Sequence, residues 1–135
     1  MKILKSLLLI AGAILLTALL IRNMGGSEGA SNCILTGSDE VAKALQNGAH
    51  VIDVRTQSEF NQGHLPGAML MDVSKSDFIE KIRRLDRNTQ YVVYCKTGIR
   101  SGRAIQIMQR EGFGDLCNIR GGTSQLLRSG YELVH

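Results

Sequence analysis

The residues best suited to chemistry lie together in YVVYC-KTGIR-S, Tyr91 to Ser101. Cys95 closes an apolar run, and Lys96, Thr97, Gly98, Ile99 and Arg100 follow before a helical pattern begins near Ser101. A loop that joins a strand to a helix can turn successive backbone N–H groups inward and form an anion cradle. A thiol held there beside Lys96 and Arg100 should ionise readily, and the thiolate is the nucleophilic form. That arrangement suits covalent catalysis on an anionic substrate. The competing reading is a buried core cysteine, because free cysteine is often interior. Exposure at a strand end, a helix N-terminus and two basic neighbours together favour the reactive reading.

The elements that must position this loop follow from hydrophobic patterning. HVIDV (His50 to Val54) and YVVYC (Tyr91 to Cys95) are apolar runs with little room for a polar face, so they read as strands covered on both sides. MLMDV (Met69 to Val73) reads as a further buried strand, and DLCNI (Asp115 to Ile119) as another. Between them lie helix-period segments. One opens at Ser38-Asp39-Glu40 and closes at Gly48, and a short turn runs from Arg55 to Asn61. Phe78, Ile79, Ile82 and Leu85 mark the inner face of a helix whose Arg83, Arg84 and Arg87 face solvent. Ala104, Ile105, Ile107 and Met108 mark another, which stops at Gly112, and Leu126 and Leu127 a last short one. Alternating strands and helices predict an α/β fold with a parallel sheet between helical layers. In such sheets ligands bind at the carboxyl ends of the strands, where Cys95 stands.

Charge and composition separate a leader from the rest. The chain has 135 residues, with 16 Lys and Arg against 12 Asp and Glu, for a formal charge of +4. Lys2, Lys5 and Arg22 lie in an acid-free leader, and without them the balance is near neutral. Nucleic acid is therefore not an expected partner, because the remaining domain is not basic and aromatic residues are scarce. Ser6 to Ile21 carries no charge; as a helix it would cover about 24 Å, short of the roughly 30 Å hydrocarbon core. Residues 1–22 thus read as a signal peptide or an N-terminal membrane anchor, and residues 23–32 as a flexible linker. Residues 33–135 form the domain, expected outside the cytoplasm on the periplasmic or cell-surface side. Three histidines and three cysteines show no ligand spacing, so no metal and no cofactor is expected.

With those pieces in order, the sequence resembles a single-domain rhodanese. The likeness is carried by IDVRTQSEFNQGHLPGAMLMDV, YCKTGIRSGRAI and GFGDLCNIRGGTSQLLRSGY, from about Ile34 to Val134. The resemblance implies a three-layer α/β/α fold with a five-stranded parallel sheet, here preceded by an N-terminal hydrophobic helix. It implies a thiosulfate sulfurtransferase: Cys95 attacks the outer sulfur of thiosulfate, releases sulfite, and passes the sulfane sulfur of its persulfide to cyanide or a thiol. In that reading amides of residues 96 to 100 hold the persulfide, while Lys96 and Arg100 attract the anionic donor. Asp53 and Arg55 match a DVR segment and would hold the loop in shape. His64 could serve as a base, but backbone partners are the plainer expectation.

Leu126 stands where an aromatic residue commonly follows the Gly-Gly turn of this family, a change in packing rather than in loop chemistry. The implied topology sets the first strand beside the last, which could bring Cys33 and Cys117 to disulfide distance. Two small apolar strand residues are the other reading of that pair. Phosphatases and arsenate reductases of the same architecture place five residues between Cys and Arg. Here Cys95 and Arg100 enclose four, a tighter cradle better suited to a terminal sulfur. A persulfide carrier that delivers sulfur to a protein partner needs the same loop and stays open at this point.

Overall fold

The computed structural model describes residues 31–135. The expected leader, residues 1–22, lies outside the described residues, as does most of the expected linker. Ser31 and Asn32, expected to end that linker, belong instead to the first strand.

The elements run β1 (Ser31–Leu35), α1 (Ser38–Gln46), β2 (His50–Asp53), α2 (Gln57–Asn61), β3 (Met69–Leu70), α3 (Phe78–Arg83), β4 (Tyr91–Tyr94), α4 (Ile99–Arg110), β5 (Asp115–Ile119) and α5 (Gly122–Arg128). The five strands form one sheet in the order β1-β5-β4-β2-β3, and every pairing is parallel. β4 lies at the centre, between β5 and β2. All four of its residues are buried, as an apolar run covered on both faces requires.

Strand alternation divides the core into two layers. Ile52, Val93, Cys95 and Leu116 face α3 and α4, packing with Phe78, Ile82, Ala104 and Met108. Val51, Val92, Tyr94, Cys117 and Ile119 face the opposite way, toward Val41 of α1 and Leu126 of α5. Leu126 is 1% exposed, so an aliphatic side chain fills the place where an aromatic is common.

Four local expectations are corrected. The helix expected to carry Phe78, Ile79, Ile82 and Leu85 on its inner face ends at Arg83, short of Leu85, and Ile79 is 40% exposed. The strand anticipated over Met69 to Val73 shrinks to Met69–Leu70, half-buried at the sheet edge. An Asx turn ends it, with the Ser74 N–H and hydroxyl donating to Asp72 Oδ1. The cap of α1 is Gly37, not Ser38, and Glu40 reaches back to accept from the Thr36 N–H. Helix α4 begins at Ile99, two residues earlier than its pattern suggests, which puts Arg100 and Ser101 in its first turn. Arg83, the last residue of α3, pairs with Glu111; beyond the helix, Arg84 pairs with Glu80 and Arg87 donates to the Glu111 carbonyl.

Candidate active site

Cys95 follows the last residue of β4, and Gly98 caps α4 in the left-handed region at φ 95°. The loop between them bends tightly enough for the Gly98 N–H to donate to Cys95 Sγ at 3.1 Å. The Ser101 hydroxyl lies 3.4 Å from the same sulfur. The exposure expected of Cys95 is not found: it stands at the strand end as expected but is fully buried, because the loop closes around its sulfur. Burial is the largest influence on the thiol and disfavours its charge. The Ser101 hydroxyl and the amides of Ser101, Thr97 and Gly98 together outweigh it and bring the pKa below the ordinary thiol value. Hydrogen-bond donors therefore lower the Cys95 pKa, a more local cause than the basic neighbours invoked from sequence.

The basic pair divides its work. Arg100 makes a two-bond ion pair with Glu59 of α2, at 2.8 and 2.7 Å. That pairing, ahead of an opposing cost of burial, holds the Glu59 carboxyl down to about 2. Glu59 is itself fixed by a capping box with Thr56, so α2 presents a rigid carboxylate to the loop. Lys96, in contrast, is exposed and forms no ion pair among the described residues. Beside it lies a cleft of about 160 Å³, whose walls include Arg55, Gln62, Ser124 and Leu127.

Asp53, at the end of β2, and Arg55 just beyond it link the end of β4 to the Gly63–Leu65 segment. Arg55 donates to both Asp53 oxygens and, at 2.7 Å, to the Gly63 carbonyl. The Tyr94 hydroxyl donates to Asp53 Oδ2 at 2.7 Å and accepts from the Leu65 N–H. Burial, followed by the Asp53 charge, pushes the Tyr94 phenol well above its ordinary range, so it remains a donor. Neither Asp53 nor Arg55 hydrogen-bonds Cys95 Sγ or a residue of the 96–100 loop. His64 stacks on Phe60, its Nδ1 sits 3.0 Å from the Phe60 carbonyl, and its backbone bridges Val134.

Behind the loop, α5 begins at a double glycine. The Thr123 and Ser124 N–H groups donate to the carbonyls of Cys95 and Lys96 at 3.0 Å each. A Cβ on Gly122 would stand 2.3 Å from the Cys95 oxygen, so only glycine permits this approach. From sequence Gly121-Gly122 reads only as a turn, and Glu59, Ser101 and Asn118 do not stand out as site residues. The Thr56-x-x-Glu59 spacing was a readable capping signal. Nothing local marks Asn118, which meets the loop from 20 residues away through β5.

Cys33 and Cys117 are register partners across β1 and β5, and they form a disulfide with Cα atoms 4.4 Å apart. Cys95 is the one free cysteine among the described residues. These residues contain no group of His, Cys, Asp or Glu placed to hold a metal ion, and no helix long and apolar enough to cross a membrane.

Comparison with known proteins places this geometry. Residues 38–129 match the rhodanese-like domain family. A protein named sulfurtransferase from Allochromatium vinosum is 29% identical over 84 residues, covering 62% of this chain and 77% of that one. The Mycobacterium tuberculosis adenylyltransferase/sulfurtransferase MoeZ is 36% identical over 72 residues, but this chain spans 18% of its length. Among solved structures, a rhodanese-like domain protein from Staphylococcus aureus is 26% identical with a TM-score of 0.63, covering 76% of this chain and 96% of that one. A rhodanese-related protein from Thermoplasma volcanium, at 24% identity and a TM-score of 0.67, shares the fold over 76% of this chain and 97% of its own. Its match, its all-parallel sheet and its cysteine loop agree, and the chain belongs to the rhodanese-like domain family.

Proposed function

We propose that this protein is a thiosulfate-type sulfurtransferase working through a persulfide on Cys95. The observation that carries the reading is a thiol ringed by the Gly98 N–H and the Ser101 hydroxyl, with its ionisation favoured. The Cys95 thiolate attacks the outer sulfur of thiosulfate. A Cys95–sulfur bond forms, the donor S–S bond breaks, and sulfite leaves with the bonding pair. Negative charge then rests on the outer sulfur of the persulfide, within reach of the loop amides of residues 96 to 100. Cyanide or a thiolate acceptor takes that sulfur and returns Cys95 as thiolate. Lys96 supplies the uncompensated positive charge that draws the dianion, because the Arg100 charge is matched by Glu59. Arg100 instead holds the loop against α2.

Mass spectrometry after thiosulfate treatment tests the reading. Cys95 gains one sulfur atom, thiocyanate forms when cyanide is added, and both signals vanish in Cys95→Ser. Wild-type protein that takes up no sulfur would sink the proposal.

Acceptors of protein origin are a second reading, favoured by Ile99, which is 80% exposed on the cysteine loop. An apolar side chain displayed beside the reacting sulfur offers a contact that a docking protein, and not thiosulfate, would use. Transfer of labelled sulfur to a protein thiol, with poor turnover of cyanide, would select a carrier over the small-molecule enzyme.

The setting we propose is extracytoplasmic, with residues 1–22 as export signal or membrane anchor. The uncharged run from Ser6 to Ile21 supports it, as does a disulfide of the kind that persists in oxidising compartments. Fractionation of cells expressing the full chain tests it: recovery in the cytosol with both Cys33 and Cys117 reduced would exclude export.

A further inference from the structure

The Ser101 hydroxyl has one proton and two acceptors. It lies 2.7 Å from Asn118 Oδ1 and 3.4 Å from Cys95 Sγ. Asn118 cannot reverse its amide to end the competition. Its Nδ2 donates to the Gly98 carbonyl at 3.2 Å, and reversal would oppose two carbonyl oxygens. The residue is held there by the sheet. Asn118 follows Cys117 in β5, and strand alternation turns Cys117 toward α1 and Asn118 toward α4.

We propose that Asn118 is a positioning residue that acts on Cys95 through Ser101, accepting the hydroxyl's hydrogen bond when the inner sulfur is neutral and losing it to that sulfur when the sulfur is a thiolate. The purpose of such a device rests on the sulfur-transfer reading, although its existence does not. In the resting thiolate the hydroxyl turns to Sγ and helps hold the charge. Once a sulfur has been accepted, charge moves to the outer atom and the inner sulfur becomes a weak acceptor, so the hydroxyl turns back to donate to Asn118 Oδ1. During transfer to an acceptor, the bond between the two sulfurs breaks and Cys95 Sγ leaves with the electron pair. The hydroxyl then swings back to stabilise the leaving thiolate, and a thiol of lower pKa leaves faster. Asn118 thus lets the hydroxyl favour both thiolate states without equally favouring the persulfide between them.

Charged groups around the sulfur do not duplicate this effect. From α4 comes Arg100, matched by Glu59 of α2, and from the loop comes the exposed Lys96. From β2 come Asp53 and Arg55, matched to each other. β5 and α5 meet the loop through Asn118, Thr123 and Ser124, none of which titrates.

The test is the pH dependence of Cys95 alkylation by iodoacetamide in the full chain, read by mass spectrometry. Ser101→Ala raises the midpoint, while Asn118→Ala lowers it because the hydroxyl loses its rival acceptor. Below the midpoint each change is worth roughly three- to tenfold in rate, the size of one hydrogen bond. In the Ser101→Ala background, Asn118→Ala no longer lowers the midpoint. An upward shift, no shift, or an equal shift with and without the hydroxyl overturns the proposal. Should Asn118→Ala fail to fold, the similarly sized and uncharged Asn118→Leu decides. It lowers the midpoint only where the Ser101 hydroxyl is present, and an equal shift with and without that hydroxyl counts against the device. Alkylation needs no sulfur donor, so a protein that obeys this cycle yet takes no sulfur from thiosulfate would refute the function and spare the inference.

Discussion

The sheet carries two kinds of sulfur on its two faces. Cys33 and Cys117 face α1 and α5, mid-strand on adjoining parallel strands, and no hydrogen-bond donor reaches either sulfur among the described residues. Cys95 faces α3 and α4 just past the end of the central strand, where the Gly98 N–H and the Ser101 hydroxyl converge on it. Burial is shared by Cys95 and Cys117, at 0% and 1% exposure, so burial alone does not decide reactivity. Position along the strand does. Mid-strand amides are committed to the ladder, whereas past the strand end the chain is free to aim its N–H groups at an anion.

The largest effect expected at either site comes from the cysteine itself. Cys95→Ser removes all sulfur uptake, while the thermal midpoint stays within a few degrees of wild type. Thiocyanate assay and calorimetry read the two quantities. Residual uptake on Cys33 or Cys117 in that variant would erase the distinction between the faces.

Next in size is the glycine behind the loop. Gly122→Ala sets a Cβ 2.3 Å from the Cys95 oxygen and 2.7 Å from the Lys96 oxygen, both backbone atoms that must move. A shift of about 1 Å at the reacting sulfur lowers turnover by roughly 100-fold, and the strain costs about 3 kcal/mol of stability. Gly130 supplies the control. It also has a positive φ, +80°, but a Cβ there meets nothing within 4 Å, so Gly130→Ala costs about 1 kcal/mol and leaves turnover intact. Similar losses of turnover in both variants would show that the close approach of α5 to the loop is not what matters.

The inert pair should affect stability alone. Its 84-residue separation gives a loop-closure contribution of roughly 4–5 kcal/mol as an upper value, with 2–4 kcal/mol typical of measured bridges. Cys33→Ala with Cys117→Ala therefore lowers denaturant stability by about that typical amount. Cys95 alkylation stays within roughly twofold in the same variant, because β4 also pairs with β5 through Val92↔Cys117 and Val93↔Asn118. A large drop in Cys95 reactivity would mean that the bridge, not the central strand, sets the geometry of the loop.

What the sequence disclosed follows the same division between local and distant causes. YVVYC and DLCNI announced themselves by composition, and both strands sit where their apolar runs place them. The cysteine loop was legible because every part of it is contiguous. Met69 to Val73 looked like its neighbours, yet as the edge strand it pairs on one side only and turns away at Asp72. The Cys33–Cys117 pairing was suggested by family topology and not by the residues alone. Glu59 and Asn118 reach the loop across 41 and 20 residues, and no periodicity encodes such meetings. Arg100 consequently reads from sequence as a cation that attracts the donor, although Glu59 already matches its charge.

The smallest effect separates that matched charge from the free one. Glu59 has its pKa held at about 2, against 4.5 for an ordinary glutamate, first by its hydrogen bonds to Arg100. A carboxylate depressed on folding stabilises the native state above its unfolded value. That contribution is complete above about pH 4.5 and fades as pH falls toward 2. Partial exposure of the pair, 37% for the Arg100 side chain and 26% for Glu59, keeps the gain modest. Glu59→Gln should therefore flatten the fall in thermal midpoint between pH 5 and pH 2.5 by a small but measurable amount, while Lys96→Ala leaves that slope unchanged. Thiosulfate uptake reverses the order: Lys96→Ala weakens it in a salt-sensitive way, because an exposed charge acts through solvent. In Glu59→Gln the guanidinium of Arg100 loses its counter-charge and becomes available to the donor, so uptake at low thiosulfate holds or rises provided the loop keeps its shape. A fall in uptake with Glu59→Gln, accompanied by an upward shift of the Cys95 alkylation midpoint, would show that the ion pair shapes the loop more than it masks the charge.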